Sequence, residues 1–420
     1  MSDSYKKIAG DSFYLYLTQG LNYILPFLIL PYLLKTLSTS SFGIFIYSQA
    51  IMQIMMLFVD FGFNISGTKE ISINANKQNK VSQIYWSINL IKLIFAGIIF
   101  LIVAVFFKWY TPLNQYSEGV IAAGLSVFGS VLFPMWLFQG LGKMKIMAII
   151  GSISKIIFLP LIFIFVTHQD DYMIAIYLHT LVQLSMGVMA TIYFLKDRNL
   201  RNIKKSFFKY NRIKYYIKDS FPIFLSNSSI SLYTSGITFI LGFFVDSRSI
   251  GIYGAIDRIV RVICFGVYGP LSQAAFPILV KVKLESFVKA QKMLKMIFGG
   301  ILVLMIFIFL VLSLSSDYLI GQFYPELMNY KILLIISLFS IIPIALGGVS
   351  GQLGLIALGG NAEKKIFSSV YIIVGLSSLV ISYFCIRIWN IEGAIYSVVA
   401  SEILVFLLMF YFVTNRKILF

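Results

Sequence analysis

Windows of about 20 mostly apolar residues, the length a helix needs to cross a bilayer core, recur along this chain with short polar breaks between them. They fall near 12–34, 42–64, 83–107, 117–139, 146–167 and 172–195, and again near 220–243, 250–280, 292–314, 327–357, 366–388 and 392–414. Only 12% of the 420 residues are charged, about half the share of a soluble domain. The pattern predicts an all-α polytopic membrane protein of about twelve transmembrane helices.

A net charge of +17 would point to nucleic acid in a soluble chain. Here the positions of the basic residues decide otherwise, and no nucleic-acid partner is expected. Of 34 lysines and arginines, 25 lie in alternate breaks: 6–7, 69–80, 143–145, 196–218, 281–295, 364–365 and 416–417. The other breaks hold five, Lys35, Lys108, Arg248, Lys331 and Arg387, and four more lie within spans. Such asymmetry over short loops places N- and C-termini in the cytoplasm. The opening MSDSYKKIAGD then reads as a cytoplasmic lead into a retained helix. The organisation expected is an N-terminal six-helix lobe at 1–195, a basic cytoplasmic linker at 196–219 and a C-terminal six-helix lobe at 220–420. The longest loop on the far side, about 315–330, is too short for an enzyme domain. Cys264 and Cys385 lie in apolar segments, and His168 and His179 make no metal-ligand spacing, so neither a metal nor a cofactor is expected.

The halves repeat at an offset of 208 residues. Asp11-Ser12-Phe13 falls on Asp219-Ser220-Phe221, Leu17 on Leu225, and Ser41-Phe42-Gly43-Ile44-Phe45 on Ser249-Ile250-Gly251-Ile252-Tyr253. Both members of each pair enter the membrane from the same side, so the repeat is parallel, as in transporters built from two pseudo-symmetric lobes.

The sharpest chemical signal lies in the eighth window. Asp257, Arg258 and Arg261 occupy one helical sector roughly 100° wide, and Asp257 can pair with Arg261 at i,i+4. Facing lipid, the three charges would cost on the order of 8–10 kcal/mol, so they belong in a protein interior or a wet cavity. Two readings follow: a cationic site for a phosphate or sugar-linked anion, or an internal ion pair stapling helices. The repeat maps these positions onto Gln49, Ala50 and Gln53, so the charged face belongs to the C-terminal half alone. Lys92 and Lys155 also lie near mid-membrane, each either lining a cavity, pairing across helices or snorkelling from a tilted span. Asp60, Asp257 and Glu402 are the acids within spans and the candidates for ion coupling. Asp60, in Asp60-Phe61-Gly62-Phe63-Asn64, also suits a helix-terminal turn. Thr18, Gln19 and Asn22 in the first window, with Ser226, Asn227, Ser231, Thr234 and Thr238 in the seventh, form polar stripes. These could wall a hydrophilic cavity or serve as hydrogen bonds between helices. His179 reads as a bundle residue. The 196–218 run reads as a topology-setting segment against membrane lipids.

Particular residues then become recognisable. Pro26-Phe27 through Pro31-Tyr32-Leu33, Leu37, Phe42-Gly43, Asp60-Phe61-Gly62-Phe63 and Thr68-Lys69-Glu70-Ile71 resemble the start of the O-antigen and polysaccharide flippases (Wzx-type). These belong to the multidrug/oligosaccharidyl-lipid/polysaccharide exporter superfamily. Gly251-Ile252-Tyr253 before Asp257-Arg258, and Phe276-Pro277, are similar to that family as well. The resemblance implies a two-lobed, V-shaped transporter that moves an undecaprenyl-diphosphate-linked oligosaccharide between leaflets of the bacterial inner membrane by alternating access. It also implies a pathway shared with a polysaccharide polymerase and a chain-length regulator. The family's cationic cavity is lined by helices 1, 2, 7 and 8, which here carry Arg258, Arg261, Asn22 and Asn227. Windows 1 and 2 contain no internal Arg or Lys, a departure from the more cationic members.

Other readings differ in class. A drug exporter of the same fold would handle cations, against which excess positive charge in the cavity argues. A membrane polymerase or ligase needs an outward loop with arginines or histidines, which the short loops do not supply. A scaffold without transport gives the costly internal charges no use.

Overall fold

A computed structural model describes residues 25, 28–196 and 210–419, with the side chains of 195, 226, 227, 229, 230, 232 and 323 left aside. The described residues form helices and turns without a strand. Contacts between residues divide the chain into two compact units, Met1–Ser228 and Ser229–Phe420.

In the first unit α1 (Thr39–Asp60) is followed by α2 (Phe63–Asn74) and the long α3 (Gln78–Trp109). The break between α1 and α2 lies inside the Asp60 to Asn64 motif. Phe61 and Gly62 both take left-handed backbone, φ 39° and φ 79°. Gly62 is needed there twice over. A Cβ would strain its φ and would also lie 2.8 Å from the Ser220 carbonyl and 2.9 Å from the Phe224 amide.

The window at 117–139 resolves into three short helices, α4 (Ser117–Gly124), α5 (Ser126–Leu132) and α6 (Met135–Gly140). Pro134 forces the last break, because the preceding Phe133 is pushed out of helical space, to φ −102°, ψ 83°. α7 (Met144–Phe158) and α8 (Tyr172–Leu195) follow. α5 crosses α8 at small residues, where Gly129 and Gly187 let the backbones meet. The packed centre of the unit includes Phe63, Ile71, Ile88, Trp136 and Phe138, all at 0% exposure.

α9 (Tyr210–Leu241) carries the expected seventh window, and the division between units falls within it. Its first part packs on the α1–α2 break. Phe224 stacks on Phe61 at 4.5 Å, and the Ser66 and Ser220 hydroxyls meet at 2.6 Å.

The second unit contains α10 (Ser247–Glu285), α11 (Phe287–Leu314), α12 (Lys331–Phe339), α13 (Ile341–Gly348), a π-helical turn over Val349–Leu358, and α14 (Asn361–Asn415). At 55 residues, α14 merges the two windows expected at 366–388 and 392–414. It is not straight. Asn390 sits at φ 50°, ψ −126°, and the Ser382 hydroxyl donates to that of Ser397 at 2.9 Å. Fifteen residues of straight helix would hold those hydroxyls about 22 Å apart. α14 is therefore a hairpin of two antiparallel arms.

The 208-residue repeat shows in the helix starts. α1 is capped by Ser38, whose hydroxyl accepts from the Ser41 amide, and α10 by Asp246, whose carboxylate accepts from the Ser249 amide. Cap and capped amide are each 208 residues apart in the two helices. The offset also carries Gly62, at the α1–α2 break, onto Pro270 inside α10.

Among the described residues eight helical stretches are long and apolar enough to cross a membrane. α9 and α10 are not among them, since serines, threonines and internal charges dilute their apolar runs. Only 11% of α11's most apolar stretch is buried within the protein, and Val303 and Phe307 are exposed. Such a surface needs lipid around it, and the protein is a multi-pass membrane protein.

Candidate functional site

The charges of α10 have two different settings. The Asp257 carboxylate takes the Arg261 Nε on both oxygens, each at 2.9 Å, one helical turn apart as the spacing requires. Both side chains are 24% exposed, so the pair is neither sealed in a core nor left in open water. Arg258, 100° away on the same helix, is half-buried.

Asp257 also lines a small cavity with Tyr253, Val260, Ser337, Ser340 and Val398, drawn from α10, the α12–α13 junction and the second arm of α14. Its volume of about 10 Å³ suits one water molecule.

Glu402, on the second arm of α14, is 4% exposed and interacts electrostatically with Arg261 and Asp257. Tyrosines complete the surroundings. Tyr233 on α9 lies parallel to Tyr371 on α14, with centroids 6.5 Å apart, and the Tyr253 hydroxyl reaches Thr238 on α9. The cluster thus joins α9, α10 and both arms of α14, all within the second unit. Its charge is a matter of one proton: Arg258 and Arg261 against Asp257 give +1, and an ionised Glu402 brings the total to zero. The helix pattern alone showed the first three groups. The fourth, 141 residues from Arg261, had no sequence signal tying it to them.

The first unit places Lys92 and Asp60 together. The Lys92 ammonium donates to Asp60 Oδ1 at 2.8 Å and to the Ser130 carbonyl at 3.2 Å, and Asn64 donates to the other Asp60 oxygen at 3.3 Å. Lys92 is 1% exposed. The ion pair ties α3 to the C-terminal end of α1, just before the left-handed break, and reaches the α5 backbone. Lys155 on α7 is half-buried, and His179 on α8 packs its ring 5.4 Å from that of Phe45.

Thr18, Gln19 and Asn22 lie outside the described residues, and so does the side chain of Asn227. No group of three or more metal-ligating side chains gathers among the described residues.

The profile of the family described as polysaccharide biosynthesis protein matches residues 8–283. A protein of Escherichia coli (strain K12), provisionally named an O-antigen transporter, is 30% identical over 417 residues, 97% of this chain and 96% of the relative. A Shigella dysenteriae protein of the same provisional name is 28% identical, over 94% of this chain and 97% of its own. Among solved structures, an inward-facing multidrug-resistance MATE family transporter of the MOP superfamily superposes with a TM-score of 0.68 at 12% identity, covering 94% of this chain and 98% of that one. The lipid II flippase MurJ, in an inward closed conformation, gives a TM-score of 0.68 at 14% identity, covering 97% and 89%. At these identities the structural likeness establishes a shared fold.

Proposed function

The chain belongs to the polysaccharide biosynthesis protein family, a family of transporters and not of enzymes, and from that premise we propose that it flips an undecaprenyl-diphosphate-linked oligosaccharide, an O-antigen or related surface-polysaccharide unit, across the bacterial inner membrane. Twelve helices in two pseudo-symmetric lobes would alternate access around a central site, with both termini and the 196–219 linker cytoplasmic. The polysaccharide polymerase and chain-length regulator of the same pathway would take up the product.

The observation that carries this reading is the cluster around Arg261. Two guanidinium groups stand beside two carboxylates on the helix expected as the eighth span, where they would be too costly for inert scaffold. Arg258 and Arg261 would attract the diphosphate, since a guanidinium fork matches phosphate oxygens and keeps its charge at any relevant pH. Asn22, Gln19, Thr18 and Asn227 would meet the sugar hydroxyls. Lys92, engaged with Asp60 and the Ser130 carbonyl, would brace the first lobe instead of gripping cargo.

Coupling would run through Glu402 and Asp257. Protonated Glu402 leaves the cluster at +1 and ready for an anion. Ionised Glu402 cancels that charge and favours release, so the protonation state of Glu402 would set how tightly the cluster holds the anion.

Flipping of a polyprenyl-diphosphate saccharide by the reconstituted protein tests the reading. Arg258→Ala and Arg261→Ala should each lower transport at normal protein level, and unimpaired transport in both would remove the proposed site. Transport of organic cations with no response to the lipid-linked saccharide would instead favour a drug exporter of the same fold.

A further inference from the structure

Helix ends in the second unit bring together basic segments that are far apart in sequence. The Lys283 ammonium, near the end of α10, donates at 3.1 Å to the Gly359 carbonyl, just before α14 begins. The Gln291 amide, near the start of α11, donates at 3.0 Å to the Lys417 carbonyl, just after α14 ends. Arg416 Nε lies 3.9 Å from Glu363 Oε1, which joins the two ends of α14. Residues 281–295, 361–365 and 416–417 thus form one surface, with nine basic side chains against Glu285 and Glu363. Lys281, Lys289, Lys292, Lys364 and Lys365 are exposed.

Apolar side chains stand in the middle of this charge. Leu284, between Lys283 and Glu285, is 84% exposed, and Phe287 and Val288, which open α11, are 40% and 72% exposed. Val288, Lys292, Lys295, Met296, Val303 and Phe307 fall within one helical sector about 120° wide. The apolar members of that sector are all 62% exposed or more. The lysines therefore sit on the same face of α11 that runs on into its lipid-facing length.

Depth follows from the rise of the helix. From Phe287 to Leu314 α11 is about 40 Å long, the thickness of a bilayer together with its headgroup layers. Its first turn and the α10–α11 connection would then stand among headgroups, with the stems of Lys292 and Lys295 along the edge of the core and their ammonium groups reaching outward. Water gives the apolar tip no cover. An anionic leaflet offers phosphates to the lysines and the headgroup–acyl boundary to Leu284 and Val288.

We propose that the α10–α11 turn is a membrane-surface anchor for the bilayer's own anionic phospholipids, with Lys281, Lys289 and Lys292 on the phosphates and Leu284 and Val288 in the interface. The anchor stands apart from the cluster around Arg261 and does not depend on the cargo.

Leu284→Trp in the full-length protein, in nanodiscs that leave both faces open to solvent, reports the depth of the tip once the emission of the parent's four tryptophans is subtracted. In discs containing phosphatidylglycerol, the introduced indole should be shielded from acrylamide and quenched by phosphatidylcholine spin-labelled at the headgroup. In discs of phosphatidylcholine alone, acrylamide should reach it. Lys281→Gln, Lys289→Gln and Lys292→Gln combined should raise the phosphatidylglycerol fraction needed for half-shielding several-fold, because each lysine near an anionic surface is worth about fivefold. Val288→Trp supplies the same readout if the Leu284 variant does not fold. Equal acrylamide access in the two kinds of disc would overturn the proposal: open in both, the turn lies in water; shielded in both, its cover is indifferent to charge.

Discussion

Breaking the Lys92–Asp60 pair should cost very different amounts from its two sides. Lys92 is sealed, with its side chain 2% exposed, whereas the Asp60 side chain is 32% exposed. Asp60→Ala strands a buried ammonium whose remaining hydrogen bond runs to the Ser130 carbonyl, and an uncompensated buried charge costs about 3–5 kcal/mol. Lys92→Met keeps the volume and leaves a carboxylate that still has Asn64 and access to water, so about 1–2 kcal/mol is expected. The double variant should be less destabilised than the sum, by roughly 2 kcal/mol, because the second substitution removes the charge the first stranded. Reversible unfolding in mixed detergent micelles, followed for all four proteins, measures the cycle. Equal costs from the two sides, or coupling below about 0.5 kcal/mol, would refute the burial argument. Transport gives an independent check. If the pair only braces α3 against α1, the double variant flips cargo at a rate close to the parent's, whereas a cargo-gripping Lys92 would make every variant lacking it slow.

Gly62→Ala should destabilise by about 2 kcal/mol or more, because strain at positive φ adds to contact with the Ser220 and Phe224 backbone. Gly142→Ala, at φ 65° with open space around it, should cost only about 1 kcal/mol, and parallel thermal melts of the two decide whether packing or dihedral strain dominates. Asp171 accepts the backbone amides of His168 at 2.7 Å and Thr167 at 2.8 Å, which hold its carboxyl below the usual range. A depressed folded-state value adds stability above the ordinary carboxylate range and loses it as pH falls through the lowered value. Protease resistance of the 167–171 turn should therefore fall on acidification in the parent protein, and Asp171→Asn should remove that acid response. Glu402→Gln fixes the cluster around Arg261 at +1. It should bind the lipid-linked diphosphate at least as tightly as the parent while slowing its release, which a binding assay beside a flipping assay separates.

Much of this protein is legible in one dimension. Apolar runs set the helices, because a bilayer leaves a spanning segment no other way to satisfy its backbone. The Asp257–Arg261 contact follows from a 100° turn per residue, and the left-handed break from Phe61-Gly62. The shared starts of α1 and α10 follow from a repeat of 208 residues. Each is local, fixed by covalent geometry within a turn or two of helix.

What the tertiary structure decided is every partnership across helices. Lys92 met Asp60, Glu402 came beside Arg261, and Glu70, Lys80 and Arg212 came to face one opening. In each case the deciding quantities are the rotation and depth of one helix against another. Small-residue crossings such as Gly129 on Gly187, the fold-back at Asn390 and the close approach at Gly62 set these. A hydrophobic period reports which residues are apolar, but in a helix that faces lipid on one side and protein on the other it does not report the angle at which they meet.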